Sequence, residues 1–393
     1  MTRPLRIIGA AMTDMNRRDR NLPEMAGQVV ADSLAEARRD AADVDLVVFG
    51  NAAAGRLADQ ACIRGQVFLQ QAGLRNAGIV NVDNSCAGGA SALHLGALAA
   101  WAGTRTVLAV GAEKMWTGDR MATLAGIEDG VPDEDRRYLH ERLENPSGSV
   151  LMALNASWAQ TLMRERGATL EQFAAVAVKS RRHGTANPCA QFRSGVTAED
   201  VLTAPAIVPP LTRPMCSSFT DGAAAVVLST EPAPGAPQLR SSTVRSGNGD
   251  LDYHDRLAIT AAAAWEDAAI DLADVDVVEL HDATSPEELF ALESLGFYKP
   301  GDAGPATMAG STTIGGDGVC VNPSGGLLSR GHPLAATGLA QIVELVTQLR
   351  GQAGTRQVDR ARLAVAANTG GMIGSHAGTT DAAFIGIHVL EAG

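Results

Sequence analysis

One cysteine lies in a segment whose residue types suit nucleophilic chemistry. Residues 82–101, VDNSCAGGASALHLGALAAW, begin polar and continue through two glycines into an apolar run that predicts a buried helix. Cys86 would lie just before this helix or in its first turn, where unpaired N–H groups and the helix dipole favour thiolate over thiol. Gly88 and Gly89 would let another backbone or a substrate come close. The alternative is a buried structural cysteine, which is common on apolar runs.

A matching segment in the second half of the chain carries a histidine. Residues 319–346, VCVNPSGGLLSRGHPLAATGLAQIVELV, repeat the polar-to-helix layout of the cysteine segment. His332 stands between Gly331 and Pro333, so its ring should project from a fixed turn at a helix start. A neighbouring imidazole can activate a thiol as a nucleophile, and we predict that His332 does this for Cys86. The alternative for His332 is a structural hydrogen bond in a loop.

Strands and helices alternate along the chain, which predicts an α/β fold. Units of the first half recur in the same order in the second half, and this indicates an internal duplication. The matched pairs are 22–51 with 256–282, the cysteine segment with the histidine segment, 105–111 with 362–368, and 219–230 with 379–390. The other predicted elements are a strand over 5–10, a helical segment over 58–73 and a strand over 79–83.

The duplication suggests boundaries for two halves and an insert. We expect one half to comprise residues 1–116 and 215–232, and the other to comprise residues 239–393, after the linker EPAPGAPQ. Residues 117–214 would form a lid that the second half lacks. Its first part, 118–145, is charged and loop-like, and we expect it to shape the acceptor pocket. Helical patterning over 147–166 and 170–183 favours an ordered lid over a disordered loop.

Composition excludes several classes of protein. The 393 residues are 46% hydrophobic and 19% charged, as in a soluble globular protein. A net charge of −12 argues against a nucleic-acid surface. No apolar run is long enough for a membrane span, and the N-terminus lacks a signal-peptide layout. Five scattered cysteines without CxxC pairing argue against a disulfide framework and against a metal site, and they favour a cytoplasmic location.

The two matched segments, together with VAVKSRRHGTANPCAQFRSGVTAEDVL and SFTDGAAAVVL, resemble the thiolase superfamily over nearly the whole chain. They are most similar to its sterol-carrier-protein thiolase branch. The resemblance implies a thiolase fold, in which two βαβαβαββ halves pack in five α-β-α-β-α layers with a lid insert, and usually a homodimer. It also implies a cysteine nucleophile that acts on a coenzyme A thioester, with no permanently bound cofactor and no metal.

The resemblance also assigns residues. Cys86 matches the nucleophile and His332 matches the histidine of the GHP motif. His281 begins the segment HDAT, where the sterol-carrier branch has His-Asp-Cys-Phe. Two departures matter: Asn368 stands where many thiolases have a second cysteine, and Ala283 stands where the sterol-carrier branch has its substitute. The general acid/base for the second substrate is therefore unidentified.

Several residues remain as candidates for the other roles. Backbone N–H groups near Cys86 and around Gly370 and Gly371 would form one oxyanion hole, and His281, with or without His332, would form another. The candidates for the missing acid/base are Asp282, Cys320 and His376. An acceptor with an acidic carbon would need no such group. A basic cluster would contact the phosphates of coenzyme A or would be a solvated helix face; it comprises Lys179, Arg181, Arg182 and Arg193.

These observations predict an acyltransferase. Cys86 would take an acyl group from an acyl-CoA-type thioester and pass it to a carbon nucleophile, which forms a C–C bond in a Claisen-type reaction. The alternatives are degradative thiolysis of a 3-ketoacyl-CoA and retro-aldol cleavage of a CoA-linked side chain with a small OB-fold partner chain. A third alternative is a non-catalytic thioester-binding subunit. Acyl length, acceptor and direction of reaction are left open.

Overall fold

A computed structural model describes residues 4–15, 19–143 and 148–393, so the predicted segments 118–145 and 147–166 lie partly outside the described residues. The architecture is a mixed α/β fold around one large sheet. The strands, in chain order, are β1 (Leu5–Met12), β2 (Leu46–Gly50), β3 (Gly78–Val82), β4 (Thr106–Glu113), β5 (Ala206–Val208), β6 (Leu211–Thr212), β7 (Gly222–Ser229), β8 (Gln238–Ser246), β9 (Val277–Glu279), β10 (Cys320–Val321), β11 (Leu363–Ile373) and β12 (Asp381–Glu391).

Helices flank the strands along the whole chain. They begin where capping residues satisfy free N–H groups: Asn21 and Thr169, for example, each complete a capping box with the residue three positions later. The helices are α1 (Leu22–Ala37), α2 (Ala54–Leu57), α3 (Arg64–Phe68), α4 (Gly88–Trp101), α5 (Arg120–Glu128), α6 (Asp133–Arg142), α7 (Val150–Arg166), α8 (Leu170–Thr185), α9 (Ala198–Leu202), α10 (Tyr253–Ala268), α11 (Ser285–Ser294), α12 (Ala303–Ala309), α13 (Gly326–Ser329) and α14 (Thr337–Leu349).

The sheet shows the duplication directly. Its ten strands run in the order β10-β9-β11-β12-β8-β1-β7-β4-β2-β3. Read outward from the centre, β8-β12-β11-β9-β10 repeats β1-β7-β4-β2-β3. The two five-stranded parts join where β1 pairs with β8, at Leu5 with Leu239 and Arg6 with Gln238. The sequence analysis did not predict β8, which follows the proline-rich linker directly, although the alternation of polar and apolar residues in it is typical of a strand.

The five-layered arrangement follows from how the helices pack. α4 and α14 contact each other between the two parts of the sheet, where Leu93, Leu339 and Ile342 share one apolar core. α1 covers the outer face of β1, β7 and β4, and α10 covers the outer face of β8 and β12. The central helices are therefore buried on most sides, as the apolar run after Cys86 predicted. None of the helices in the described parts of the chain has the length and apolarity that a bilayer crossing requires.

Two predicted elements differ from the structure. The segment 58–73 is not one helix; two short helices, α2 and α3, flank a turn that includes the left-handed residues Asp59 and Ile63. The charged segment 118–145 is helical in its described part, because α5 and α6 cover most of it. Its acidic residues lie in the first turn of α6 and basic ones in the last, as the helix dipole favours. Charge density alone had suggested a loop.

Candidate active site

Cys86 lies in a short turn, Ser85–Ala87, that connects the loop after β3 to the start of α4. Ser85 has a left-handed backbone (φ 50°), which is unusual for a residue other than glycine and is frequent at functional sites. The side chain of Cys86 is largely buried, yet it lines a cavity. The sequence prediction of a cysteine at a helix start therefore agrees with the structure.

Glycines bring this turn against the second half of the chain. A Cβ on Gly88 would lie 2.7 Å from the Cβ of Ala335, and one on Gly89 would lie 2.6 Å from the Ala335 carbonyl oxygen. Ala335 belongs to the turn Leu334–Ala336, which follows His332 directly and leads into α14. The start of α4 and the start of α14 therefore pack backbone to backbone, and this contact brings the cysteine and the histidine together.

One thiol and two imidazoles meet at this contact. The Sγ of Cys86 and one ring nitrogen each of His281 and His332 all lie within 4.8 Å of one another. The two rings are 5.1 Å apart, centre to centre, and nearly perpendicular. His281 follows the carboxyl end of the parallel strand β9, so three separate elements converge on the sulfur.

Glu287 and Thr369 fix the orientation of the His281 ring. Its Nδ1 lies 3.0 Å from Glu287 Oε1 and 3.2 Å from the hydroxyl of Thr369. Tyr253 donates its hydroxyl to the same carboxylate oxygen at 3.0 Å. Burial would lower the pKa of His281, but the negative charge of Glu287, together with Cys86, raises it to about 10.

His332 has different partners. Its Nδ1 lies 2.8 Å from the hydroxyl of Thr337, and its backbone N–H donates to Thr220. Burial lowers the pKa of His332 well below its ordinary value, and the positive charges of His281 and Arg330 lower it further. The imidazole of His332 is therefore neutral near pH 7.

Gly370 lets β11 reach the cysteine turn. A Cβ there would lie 2.1 Å from the carbonyl oxygen of Asn84 and 2.5 Å from the backbone nitrogen of Ala87. Gly371 has a left-handed backbone (φ 68°), and both glycines line the cavity. The backbone of Gly370 therefore packs directly against the turn that contains Cys86.

The cavity over the cluster has a volume of about 1070 Å³. Cys86, His281 and His332 line it, and residues 117–214 supply much of its wall. Most of that wall is apolar, which suits an acyl chain or an apolar acceptor. The apolar side chains from this insert are Leu124, Ile127, Leu151, Met152, Phe192, Pro205, Ile207 and Pro214.

None of the three candidates for the missing acid/base lines this cavity. Asp282 is buried and accepts a hydrogen bond from the N–H of Leu327. Cys320 lies in the central core, where burial raises its pKa to about 12. His376 is bound to Asp135. Ala283 does line the cavity, so the position of the substitute cysteine offers only a methyl group.

The sequence analysis missed Glu287. It lies in the first turn of α11, where an acidic residue is usually explained by the helix dipole. In the structure its carboxylate is buried, lines the cavity and binds His281. Its position six residues after His281, across the turn from strand to helix, is a signal that could have pointed to it. Tyr253 and Thr369 come from distant parts of the chain and left no such signal.

The four residues of the basic cluster lie in different environments. Lys179 is buried, and its Nζ lies 2.5 Å from Glu288 Oε1, so the prediction that it contacts coenzyme A is corrected: a carboxylate in the core already neutralises it. Arg181 lines the cavity and stacks on Phe192, with its guanidinium carbon 3.8 Å from the ring centre. Arg182 and Arg193 are exposed and are not among the residues that line it. Arg213, which the sequence analysis did not single out, does line it.

Comparisons with known proteins agree with this geometry. The family model described as "Thiolase, N-terminal domain" matches residues 5–232, and "Thiolase C-terminal domain-like" matches residues 242–380. The chain is 35% identical to an acetyl-CoA acetyltransferase of Methanothermobacter thermautotrophicus, over 95% of this chain and 98% of that protein. It is 33% identical to the benzoylsuccinyl-CoA thiolase subunit BbsB of Thauera aromatica, over 79% of this chain and 81% of that protein.

Two further matches bear on the branch and the fold. Sterol carrier protein 2 of Bos taurus is 31% identical, over 93% of this chain and 69% of that protein. A solved structure, an Ltp2-ChsH2(DUF35) aldolase, superimposes with a TM-score of 0.81 at 22% identity, over 99% of this chain and 98% of that one, and this likeness shows the fold alone. The family models and the full-length relatives lead to one conclusion: the chain belongs to the thiolase family.

Proposed function

We propose that this protein is an acyltransferase that forms an acyl-Cys86 intermediate from a coenzyme A thioester and transfers the acyl group to a carbon nucleophile. The observation that carries the proposal is the convergence of Cys86, His281 and His332 within 4.8 Å in a cavity of about 1070 Å³. A thiolate needs a neighbouring base, and the acyl carbonyl needs donors for its developing charge. In this proposal the imidazoles would meet the first requirement, and the N–H groups around Gly370 and Gly371 would meet the second.

The reaction would proceed in two halves. In the first, the Cys86 thiolate attacks the thioester carbonyl, the bond from carbon to the coenzyme A sulfur breaks, and that sulfur leaves with a proton. In the second, the acceptor loses a proton from carbon, its carbanion attacks the acyl group, and the bond to the Cys86 sulfur breaks. The new C–C bond remains in the product and the thiolate is restored.

The binding mode of coenzyme A is part of the proposal. Arg181 and Arg213 line the cavity, and burial, followed by the charge of Arg213, lowers the pKa of Arg181 to about 10. Two cations at one wall would hold the phosphates of the thioester, with Arg182 and Arg193 on the surface nearby. Residues 117–214 would act as the lid over the acyl group and the acceptor. No permanently bound cofactor or metal is needed for this chemistry, although a thiol and two imidazoles are also donors that zinc accepts.

We expect the protein to form a homodimer and to reside in the cytoplasm. β3 lies at one edge of the sheet, and Val80, Leu95 and Leu98 expose large apolar side chains on β3 and α4. An open edge strand with apolar neighbours is a natural pairing surface for a second copy. All five cysteines are free thiols, which fits a reducing compartment. Light scattering on the purified chain measures the oligomeric state, and a monomer at micromolar concentration would refute the dimer.

The experiment that tests the proposal is incubation with acetyl-CoA followed by intact-mass measurement. We expect a single acetyl adduct that maps to Cys86, and none in a Cys86→Ala variant. The matched control is Cys216→Ala, because Cys216 is also buried at the cavity wall, and this variant should retain the adduct. Absence of any adduct on the folded protein would refute acyl transfer through Cys86.

A second candidate is thiolysis of a 3-ketoacyl-CoA, in which the reaction runs in the degradative direction and passes through the same acyl-Cys86 intermediate. The relative named as a benzoylsuccinyl-CoA thiolase subunit favours it. Retro-aldol cleavage with a small partner chain is the remaining alternative, and it would not need the nucleophile. Loss of activity in Cys86→Ala argues against it, whereas co-purification of a small partner would favour it.

A further inference from the structure

One thiol sulfur and two imidazole nitrogens lie together in the wall of the cavity. We propose that Cys86, His281 and His332 also form a reversible zinc site, and that a bound Zn²⁺ ion inhibits the enzyme. The sulfur and one nitrogen of each ring are the protein ligands, and a water molecule from the cavity takes the fourth position. As a regulation of the same site, this inference rests on the proposed acyl transfer, but binding of the ion needs no substrate.

The three donor atoms are of the types that zinc prefers. Thiolate sulfur and imidazole nitrogen are its usual protein ligands, whereas Mg²⁺ and Ca²⁺ take oxygen. The sulfur and the two ring nitrogens lie within 4.8 Å of one another. With Zn–N bonds of about 2.0–2.1 Å and a Zn–S bond of about 2.3 Å, the ligand atoms of a tetrahedral zinc ion are about 3.3–3.6 Å apart. The donors therefore need to approach one another by about 1.5 Å at most, which side-chain rotation can supply.

Hydrogen bonds outside the site already orient both rings as metal ligands. Nδ1 of His281 lies 3.0 Å from Glu287 Oε1 and 3.2 Å from the hydroxyl of Thr369. Nδ1 of His332 lies 2.8 Å from the hydroxyl of Thr337. Nε2 is therefore the nitrogen of each ring that remains for an ion. A metal-bound histidine usually donates its other N–H to a carboxylate or a similar acceptor, and His281 with Glu287 has this arrangement.

One ring nitrogen of the site has an unmet requirement for a partner. Nε2 of His281 is buried, and it has no hydrogen-bond partner among the residues that the structure describes. A buried polar atom without a partner is uncommon in folded proteins and calls for an explanation, such as an ion or a water molecule. The ring lines the cavity, so an ion can reach this nitrogen from the cavity side.

The charges around the site suit a divalent cation. Glu287 is 2% exposed and touches the His281 ring, so a buried carboxylate lies directly behind one ligand. The thiolate of Cys86 adds a second negative charge, and the two together balance the charge of Zn²⁺. Arg330, whose positive charge acts on His332, is paired with the Glu279 carboxylate at 3.0 Å. Repulsion of the ion by this arginine is therefore offset within the core.

Binding exchanges protons for the ion. The S–H bond of Cys86 breaks and a Zn–S bond forms, and a proton held on Nε2 of His281 leaves as well, because ligands must be deprotonated. Water takes these protons, and no electron moves, since Zn²⁺ has no redox chemistry. With the ion in place, the sulfur shares its lone pair with the metal and the ring of His332 cannot take a proton. Neither the nucleophile nor the base is then available, so acyl transfer stops.

The test is a titration of the metal-free protein with ZnCl₂, followed by native mass spectrometry and by alkylation of Cys86 with iodoacetamide. We expect one Zn²⁺ ion per chain. Alkylation of Cys86 should slow at least about tenfold when one equivalent is bound, because the thiolate is then held as a metal ligand, and EDTA should restore the original rate. In Cys86→Ala and in His332→Asn, the affinity for Zn²⁺ should fall by more than the about 10–100-fold that loss of an outer-shell partner costs.

Two control variants separate this site from binding elsewhere on the surface. Cys62→Ser removes an exposed free thiol, and His376→Asn removes an imidazole that Asp135 holds away from the cavity. Neither variant should change the stoichiometry or the affinity. Equal binding of zinc by the wild type, Cys86→Ala and His332→Asn would mean an adventitious ion only, and this outcome would overturn the inference. Unchanged alkylation of Cys86 in the presence of one equivalent of ZnCl₂ would overturn it too.

Further measurements keep the zinc site separate from the acyl transfer. If His332→Asn does not fold, His281→Asn removes the other imidazole and should cause the same loss of affinity. Titration and alkylation use no acyl substrate, so failure of the zinc site is distinguishable from failure of acyl transfer, which the acetyl adduct reports. In protein that forms the adduct, one equivalent of ZnCl₂ should prevent its formation and EDTA should restore it. An adduct that forms at the same rate with zinc bound would refute the inhibition.

Discussion

The His281 side and the His332 side of the cavity use the same side chain in opposite ways. His281 faces a carboxylate and two hydroxyl groups, whereas His332 faces one hydroxyl and has an arginine nearby. The first environment raises the pKa of its imidazole to about 10, and the second lowers the pKa well below the ordinary value. Two rings 5.1 Å apart therefore differ in charge at neutral pH.

This difference shows how one site can hold an acid and a base at the same pH. The positive charge of His281 lowers the tendency of His332 to protonate, and the neutral His332 adds no charge that would oppose the protonation of His281. A protonated His281 suits stabilisation of the thiolate and protonation of the leaving sulfur. A neutral His332 suits removal of a proton from the acceptor. The sequence motifs GHP and HDAT carry no sign of this division, because it depends on Glu287 and Arg330.

The largest expected effect separates the two histidines by their charge. In His332→Asn, acetylation of Cys86 by acetyl-CoA should slow by about 10²–10⁴-fold, the usual value of a general acid–base group, because the variant loses the neutral imidazole that can take the thiol proton. In His281→Asn, which removes a cation beside the sulfur but no neutral base, acetylation should slow by a smaller factor, about tenfold. Rapid-quench intact-mass measurements distinguish the two. Equal loss of acetylation in both variants would contradict the division.

The next effect is the pH dependence of stability, which has opposite signs for the two rings. The pKa of His281 is about 10 in the folded state and about 6.5 in the unfolded chain, so its contribution is present below pH 6.5 and is lost as pH rises towards 10. His332 behaves in reverse: the unfolded chain binds the proton more readily, and stability is lost as pH falls below about 6.5. The slope per proton is about 1.4 kcal/mol per pH unit.

Urea titrations between pH 5 and 10 measure both slopes. His281→Asn should flatten the alkaline slope, and His332→Asn should reduce the acid slope. The acid slope should not vanish, because burial also lowers the pKa of other histidines, His183, His254 and His388. An alkaline slope that is the same in His281→Asn and in the wild type would mean that His281 is not protonated in the folded state.

The smallest effect tests the orientation of His332. Thr337→Val removes the hydroxyl that holds Nδ1 at 2.8 Å and keeps the shape of the side chain. Loss of one neutral hydrogen bond is worth about 0.5–1.5 kcal/mol, so acyl transfer should slow by roughly 3- to 10-fold. The midpoint of the pH profile for alkylation of Cys86 by iodoacetamide should move by less than about one pH unit, because His281 keeps its partners and the ring of His332 stays neutral. A larger shift would show that Thr337 governs the charge of His332 and not only its orientation.

Much of the fold was predictable because the duplication repeats local patterns. The polar-to-helix layout around Cys86 and His332 marks the two central helices, and their glycines mark the close contact between them. The strands 105–111 and 362–368 recur as β4 and β11 at equivalent positions in the sheet. The charge of the segment 118–145, in contrast, gave a wrong prediction, because the described part of this segment forms two helices where a loop was expected.

The rest of the site depends on contacts between residues that are distant in sequence. Lys179 and Glu288 are 109 positions apart, and no local pattern shows that they form a buried pair. Tyr253 and Thr369 meet the Glu287 carboxylate from two further elements. Periodicity indicates which face of a helix is buried, but it does not indicate which buried polar group another will meet. The sequence could therefore predict that Cys86, His281 and His332 lie together, whereas it could not predict the charge of each histidine.

The glycine contact between the two halves limits how the enzyme can move. Gly88, Gly89 and Gly111 all pack against Ala335, at distances that leave no room even for a methyl group. A hinge between the halves would have to break this backbone packing and would pull the sulfur away from His332. The contact therefore fixes the position of the Cys86 turn relative to His332, and any rearrangement that admits a substrate would have to leave this contact intact.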